Sequence, residues 1–141
     1  MIDKIVLISK NYRNKHDINN TDIKNNKDVI YKLFDDFPES KNIYYTSRNL
    51  YSERDIGPTI YEIEILAELT DIGYDSFIEQ VEFNNIQNLE MKINPNNIKY
   101  NWKEIKNIQV LNSKDIEDIS VKNIYLDESN QTLYIVGIGG N

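Results

Sequence analysis

The sequence has no cysteine, one histidine and one tryptophan among its 141 residues. Without cysteine, the chain cannot form disulfides, use a thiolate nucleophile or build a cysteine-ligated zinc site. The histidine, His16, lies in an asparagine-rich polar stretch, where no visible packing would hold it as a general base. We therefore expect His16 to be exposed and non-catalytic, and we expect no metal ion or other cofactor.

Long apolar runs are missing as well. No segment approaches the roughly 20 apolar residues that a membrane helix needs. Met1–Lys10 has too short an apolar run for a signal peptide. We expect the protein to work in the cytoplasm and to have no membrane partner.

Catalytic and phosphate-binding motifs are also absent. Neither Gly-x-Ser-x-Gly nor Ser-x-x-Lys occurs. The segment Gly137-Ile138-Gly139-Gly140 is not followed by the helix that a phosphate site uses, so it predicts a flexible tail after the last strand. The segment Asp127-Glu128-Ser129-Asn130 lacks the alternating ligands and central glycine of a calcium loop, and it predicts a hairpin turn. These absences favour a protein that is not an enzyme.

The order of apolar patterns predicts a single α+β domain over residues 1–141. Ile2–Ile8 is apolar and β-branched, which predicts a buried strand, and Lys10–Lys27 is polar, which predicts a loop. Asp28 can cap a helix whose apolar residues follow helical spacing, and Pro38 ends that helix. Further strands are predicted at Lys41–Ser47, Phe77–Phe83, Leu89–Ile93, Ile108–Leu111, Val121–Leu126 and Thr132–Ile138.

Shorter features complete the predicted fold. Asn94–Asn97 predicts a turn, and the spacing of Trp102, Ile105 and Ile108 predicts a short helix. Asp115–Ile119 predicts one further helical turn. The result is a mainly antiparallel or mixed sheet with two principal helices and a C-terminal β-hairpin.

The second principal helix is predicted at Thr59–Gly73. Thr59 and Glu62 match a capping box, and Gly73 stands where a left-handed C-cap belongs. At 100° per residue, Glu64, Glu68 and Asp71 fall in one narrow stripe. A strand is the competing interpretation, because apolar residues also alternate through this segment.

Charge of one sign is missing from a long segment, since no basic residue lies between Arg54 and Lys92. The nine acidic residues there are unopposed in a chain with 23 acidic and 16 basic residues overall. Like charges four apart on a helix destabilise it by roughly 0.2–0.5 kcal/mol per pair, so a stripe without lysine is an argument for a binding role; a solvated face that aids solubility is the alternative. Such a field attracts a positively charged partner and repels nucleic acid.

Two segments carry a family resemblance. Lys4-Ile5-Val6-Leu7-Ile8-Ser9-Lys10, followed by Arg48–Gly57 running into the acidic segment, resembles immunity proteins of bacterial contact-dependent growth inhibition systems. The resemblance implies a small protein that binds the C-terminal toxin domain of such a system, often a nuclease with a basic substrate cleft, and blocks its active site. The partner-binding residues predicted from the acidic segment and the loop before it are Glu64, Glu68, Asp71, Tyr51, Glu53 and Asp55.

Two other functions remain open at this point. An acidic inhibitor encoded by a phage or plasmid would use the same stripe to imitate nucleic acid against a host defence complex. A small enzyme would use clustered carboxylates to hold a metal ion. The neighbouring genes, or stoichiometric metal in the purified protein, would distinguish these alternatives.

Overall fold

A computed structural model of the protein describes residues 23–49, 60–86, 89, 91, 93–113 and 119–140. Within these ranges the chain forms two α-helices, a six-stranded antiparallel sheet and a separate two-stranded sheet. The elements in chain order are α1 (Lys27–Leu33), β1 (Phe34–Asp35), β2 (Ser40–Asn49), β3 (Ile60–Leu69), α2 (Asp71–Ile78), β4 (Phe83–Asn85), β5 (Lys103–Ile105), a 3₁₀ turn (Ile108–Val110), β6 (Asn112–Ser113), β7 (Ile119–Asp127) and β8 (Thr132–Gly140). The predicted α+β class and C-terminal hairpin are confirmed.

The large sheet has the strand order β2-β3-β8-β7-β5-β4. β2 and β3 are consecutive in the sequence and pair directly, as do β7 and β8. β8 joins these two pairs, because it also pairs with β3 along its whole length, from Ile60 opposite Gly140 to Glu68 opposite Thr132. The strands β1 and β6 form the two-stranded sheet.

Both faces of the large sheet bury apolar side chains. On β3 the alternation places Ile63, Ile65, Ala67 and Leu69 on one face, in the larger core that also includes Phe77 of α2. Leu66 points to the opposite face and packs in a smaller cluster. The buried members of that smaller cluster are Leu66, Ile93, Trp102 and Tyr134. Each fully buried aliphatic side chain stabilises the fold by roughly 1.5–3 kcal/mol.

The helix predicted at Thr59–Gly73 is wrong, since residues 60–69 form strand β3. The competing strand interpretation describes this segment. β3 is paired on both sides, with β2 and with β8. Because this pairing buries its alternating apolar side chains, the strand is favoured over the helix that the local capping signals predict. Gly73 does not end a helix but lies inside α2.

The first predicted helix is confirmed in its position but differs at both ends. The side chain of Asn26, rather than that of Asp28, caps α1 by accepting a hydrogen bond from the Asp28 amide at 3.1 Å. The helix ends at Leu33, and the chain continues as the extended pair Phe34–Asp35 instead of reaching Pro38.

Three predictions on the second half of the chain are wrong. Phe77 belongs to α2, and only Phe83–Asn85 of that region is a strand. Leu89, Met91 and Ile93 lie outside strands. The predicted order of helix then strand over residues 102–111 is reversed, because strand β5 precedes the 3₁₀ turn.

Other predictions are confirmed or lie outside the described residues. β2 contains the predicted strand Lys41–Ser47, and the Asn97 amide donates to the Asn94 carbonyl at 3.1 Å in the predicted turn. Ile2–Ile8, most of the loop to Lys27 and residues 115–118 are not among the described residues.

Candidate protein-interaction surface

Helix α2 is fixed to the body of the protein at its amino end. The Thr70 hydroxyl accepts a hydrogen bond from the Gly73 amide at 3.0 Å, which makes Thr70 the N-cap. The same hydroxyl donates to the Glu39 carboxylate at 3.1 Å, and the Thr70 amide donates to the Glu39 carbonyl at 3.1 Å. Gly73 lies against the Glu39 backbone so closely that a Cβ atom there would overlap the carbonyl oxygen. Only glycine permits this approach.

The two sides of α2 differ sharply. Gly73 and Phe77 face the core and are buried. Asp71, Asp75 and Glu79 recur every four residues, so they lie in one row on the helix surface, and all three are exposed. We call these three residues the α2 acidic row. Ile72 lies beside the row with 73% of its surface exposed, the most exposed large apolar residue among those described.

Helix stability does not account for this row. Asp71 at the amino end is favoured by the helix dipole, but Glu79 at the carboxyl end is disfavoured by it, and the last turn has no basic residue. The pairs Asp71–Asp75 and Asp75–Glu79 repel each other at the four-residue spacing. No ion pair or side-chain hydrogen bond to the three carboxylates is found in the described part of the chain. Asp75, Glu79 and Ile72 therefore have no evident role in stabilising the helix, whereas Asp71 is favoured by its position at the amino end.

The predicted acidic stripe is not a surface of one helix. Glu64 is on β3 with only 3% of its surface exposed, and the Tyr134 hydroxyl donates to it at 2.7 Å. Glu68 is half-buried on the same strand face and accepts hydrogen bonds from the side-chain amides of Asn42 at 2.9 Å and Asn96 at 3.0 Å. Asp71 alone of the three is exposed, at the start of α2. Tyr51, Glu53 and Asp55 lie outside the described residues.

The structure thus places six carboxylates of the acidic segment in two groups. On β3, Glu62 forms an ion pair with Arg48 at 2.8 Å, and Glu64 and Glu68 accept the hydrogen bonds just described. These three carboxylates are engaged within the protein. The three carboxylates of the α2 acidic row are directed to solvent. The α2 acidic row therefore presents three exposed carboxylates on one short element.

The sequence analysis does not identify Ile72, Asp75 and Glu79 as candidate binding residues. The reason is that it places the helix at Thr59–Gly73, whereas the helix is α2. The signal was present in Thr70-Asp71, a capping residue followed by an acidic first turn. The four-residue spacing of the three acidic residues begins there.

The other candidate sites have structural explanations. Gly137 and Gly139 lie within β8 and do not form a flexible tail, so that prediction is wrong. A Cβ atom at Gly139 would come within 2.6 Å of the Tyr61 ring, which accounts for the glycine. Asp127 is buried in the hairpin turn and accepts hydrogen bonds from the amides of Asn101 at 2.6 Å and Asn130 at 2.9 Å.

In the part of the chain that the structure describes, no group of three or more histidine or acidic side chains is arranged to hold a metal ion. Burial raises the pKa of Tyr45, Tyr74 and Tyr125 above the ordinary value. Burial, with smaller effects from Glu68, Asp127 and Tyr44, raises the pKa of Tyr100 to about 12. His16 is outside the described residues.

No family model, curated protein or solved structure matches this chain. Within the described ranges, neither helix has the length and apolar character that a membrane crossing requires.

Proposed function

We propose that this protein is an immunity protein that binds a basic toxin domain of the nuclease class and neutralises it without catalysis. The observation that carries the proposal is the α2 acidic row, whose three carboxylates are exposed, aligned and without a basic neighbour on their helix. The partner would be the toxin domain encoded beside this gene, and the protein would act in the cytoplasm.

The charge arrangement suits rapid capture of such a partner. A nuclease needs a basic cleft to hold phosphates, and an acidic surface of fixed geometry is complementary to that cleft. Complementary charge can raise association rates from about 10⁵–10⁶ M⁻¹s⁻¹ to 10⁸ M⁻¹s⁻¹ or more at low salt. Speed matters for a protein that must intercept a toxin before the toxin reaches its substrate.

Ile72 supplies the packed apolar contact that a stable complex needs in addition to rapid association. Charges at the rim of an interface mainly change the association rate, whereas packed contacts near its centre slow dissociation. Ile72 is 73% exposed beside the acidic row, so docking would remove a large apolar side chain from water. In this proposal the row attracts the partner and Ile72 holds it.

The proposal is tested by mixing the protein with the purified toxin domain in a stopped-flow instrument at several salt concentrations. The variant Asp75→Asn/Glu79→Gln removes two charges from the row. The control Asp28→Asn/Asp35→Asn removes two exposed charges outside α2, neither of them in an ion pair with the described residues, so the two variants have the same net charge. We expect the row variant to associate about 3–10-fold more slowly at low salt, with a flatter salt dependence, and the control to associate nearly as fast as the unmodified protein.

Ile72→Ser completes the test. We expect it to leave the association rate unchanged and to raise the dissociation rate at least about tenfold, because one packed apolar contact is lost. Equal association rates for the row variant and its control would mean that the α2 acidic row is not where the partner docks. Absence of any complex with the toxin domain would overturn the proposed function itself.

A further inference from the structure

The smaller apolar cluster is covered by a segment without regular secondary structure. Between β4 and β5 the structure describes residues 86, 89, 91 and 93–102, and none of them lies in a helix or a strand. We call these residues the cover segment. Their apolar side chains pack with Leu66 and Tyr134 of the sheet, and the most buried of them are Ile93 and Trp102, with 0% and 8% of their surface exposed.

The cover segment is attached to the sheet mainly through side chains. The Asn101 amide donates to the Asp127 carboxylate at 2.6 Å, and the side-chain amide of Asn96 donates to Glu68 at 3.0 Å. Among the described residues, no hydrogen bond between two backbone groups joins this segment to the sheet. A segment attached in this way opens at a lower free energy than paired strands do.

The Met91 sulfur accepts a hydrogen bond from the buried tryptophan of this segment. The Trp102 indole N–H donates to it at 3.3 Å, and Met91 is half-buried. A buried indole N–H usually has an acceptor, and a thioether sulfur is a weak one. The Trp102 ring stacks on that of Tyr100 with centres 4.6 Å apart and lies 5.8 Å from the ring of Tyr134. A change at the sulfur therefore acts directly on the rings that fill the cluster.

This sulfur has few competitors for an oxidant. The sequence has no cysteine and two methionines, Met1 and Met91, so no thiol of the chain reacts in place of Met91. Hydrogen peroxide oxidises a thioether by transfer of one oxygen atom. The sulfur lone pair attacks a peroxide oxygen, the O–O bond breaks, and the other oxygen leaves as water. The product is methionine sulfoxide, a polar side chain that disrupts apolar packing.

The contact between Met91 and Trp102 has no room for the added oxygen. The two atoms are 3.3 Å apart, and a hydrogen bond from nitrogen to oxygen alone spans about 2.9 Å, so an oxygen placed between them would force the side chains apart. An oxygen directed elsewhere would leave the indole N–H facing a sulfur with partial positive charge, which is a poorer acceptor. Protein interiors are packed too closely to absorb either change without movement.

We propose that Met91 is a reversible oxidation site, at which a peroxide converts the thioether to a sulfoxide and so releases the cover segment from the sheet. Reduction to the thioether restores the packing. Helix α2 packs in the larger core through Phe77, so release of the cover segment leaves the α2 acidic row in place. The site does not depend on the proposed immunity function, because the reaction needs no partner protein.

The reaction is tested on the whole protein with hydrogen peroxide. Mass spectrometry of proteolytic fragments locates the added oxygen, and free methionine in the same solution is the reference. We expect the fragment that contains Met91 to gain one oxygen atom while the protein stays folded. A Met91 that remains unmodified when the free methionine is oxidised would overturn the proposal.

Amide hydrogen exchange measures the release. After oxidation we expect residues 93–102 to exchange at least about tenfold faster, and α2 to change by less than about twofold, because only the smaller cluster is disturbed. Equal acceleration in both regions would indicate general unfolding and would overturn the proposed release of one segment.

Two variants test the role of Met91 without the reaction. Met91→Leu keeps an apolar side chain of similar volume, whereas Met91→Gln places a polar group at the same position, and neither can form a sulfoxide. We expect Met91→Gln to show the faster exchange of residues 93–102 without peroxide. Met91→Leu should exchange slowly before and after peroxide. Equal exchange in the two variants would overturn the assignment to Met91.

Reversal is tested with the two methionine sulfoxide reductases, which each act on one sulfoxide epimer. When both enzymes and a thiol reductant are added to the oxidised protein, we expect the added oxygen to be removed and the slow exchange of residues 93–102 to return. Removal of the oxygen without the return of slow exchange would show that oxidation damages the fold, and it would overturn the reversible release.

Discussion

The Tyr134 hydroxyl donates a 2.7 Å hydrogen bond to the Glu64 carboxylate, and both residues are buried. They are 70 positions apart in the sequence and meet because β8 pairs with β3. A buried carboxylate is stable only when donors satisfy it. This contact therefore makes Glu64 part of the internal structure of the sheet.

Tyr134→Phe removes the hydroxyl and keeps the ring. Leaving a buried polar group unsatisfied costs about 1–3 kcal/mol, so we expect the free energy of unfolding to fall by that amount in urea denaturation. Tyr125→Phe is the control, because the Tyr125 ring stacks 5.9 Å from that of Tyr134 on the same face. No hydrogen bond of the Tyr125 hydroxyl is found among the described residues. An equal loss in both variants would contradict this role for the contact.

Thr70→Ala should destabilise the protein by about 0.5–2 kcal/mol, since the Gly73 amide loses its side-chain acceptor. Thr70→Ser keeps the hydroxyl and should restore most of the loss. Thermal denaturation of the three proteins measures both effects. If Thr70→Ser is as unstable as Thr70→Ala, the threonine methyl group matters and the cap does not.

Gly73→Ala tests the close approach of α2 to Glu39. Alanine is a better helix former than glycine by about 1 kcal/mol, so helix propensity alone would stabilise this variant. Overlap with a backbone carbonyl cannot be relieved by rotating a side chain, and we expect a net loss of about 1–3 kcal/mol. Gly139→Ala should cost less, because the nearest group there is the end of the Tyr61 ring. A stabilised Gly73→Ala would show that the helix moves freely away from Glu39.

Stability should fall at alkaline pH in a defined window. The pKa of Tyr100 is about 12 in the folded protein against 10.0 for the ordinary side chain. Between these values the unfolded chain loses this proton and the folded protein keeps it, so the free energy of unfolding decreases as pH rises from about 10 to about 12. Tyr100→Phe should have a flatter pH dependence in this window, measured by urea denaturation at closely spaced pH values.

The same variant has a predicted effect at neutral pH. The Tyr100 hydroxyl is buried and makes no hydrogen bond with the described residues. Removing a buried polar group without a partner should leave stability unchanged or raise it. A loss of more than about 1 kcal/mol at pH 7 would indicate a partner for this hydroxyl.

The elements that can be predicted from the sequence are those whose residue patterns are local. The hairpin of β7 and β8 has alternating apolar residues on both sides of a polar turn, and α1 has its apolar residues at helical spacing. A short β-branched and aromatic run likewise predicts β2. In each case the pattern that decides the structure lies within a few neighbouring residues.

The acidic segment could not be assigned in that way. In Ile60–Leu69, both a helical face and a two-residue alternation are present, and local caps favoured the helix. The decision depends on β2 and β8, which pair with this segment from both sides. The engagement of Glu62 by Arg48 and of Glu64 by Tyr134 depends on the same pairing. The solvent exposure of each carboxylate thus depends on the tertiary structure. For this reason the α2 acidic row cannot be identified from the sequence alone.

The central position of β8 also sets the order in which this sheet can assemble. The β2–β3 hairpin and the β5–β7 pair are each complete earlier in the chain, but they share no edge until β8 is inserted between them. Pairings between segments so distant in the sequence slow folding, because the loop entropy is lost before the contacts form. Before β8 pairs, β3 and β7 each have an unpaired edge. Pairing with β8 joins the β2–β3 and β5–β7 pairs into one sheet. An unpaired strand edge is a template for pairing with another chain, so the edges of β3 and β7 are sites of possible aggregation until β8 is in place.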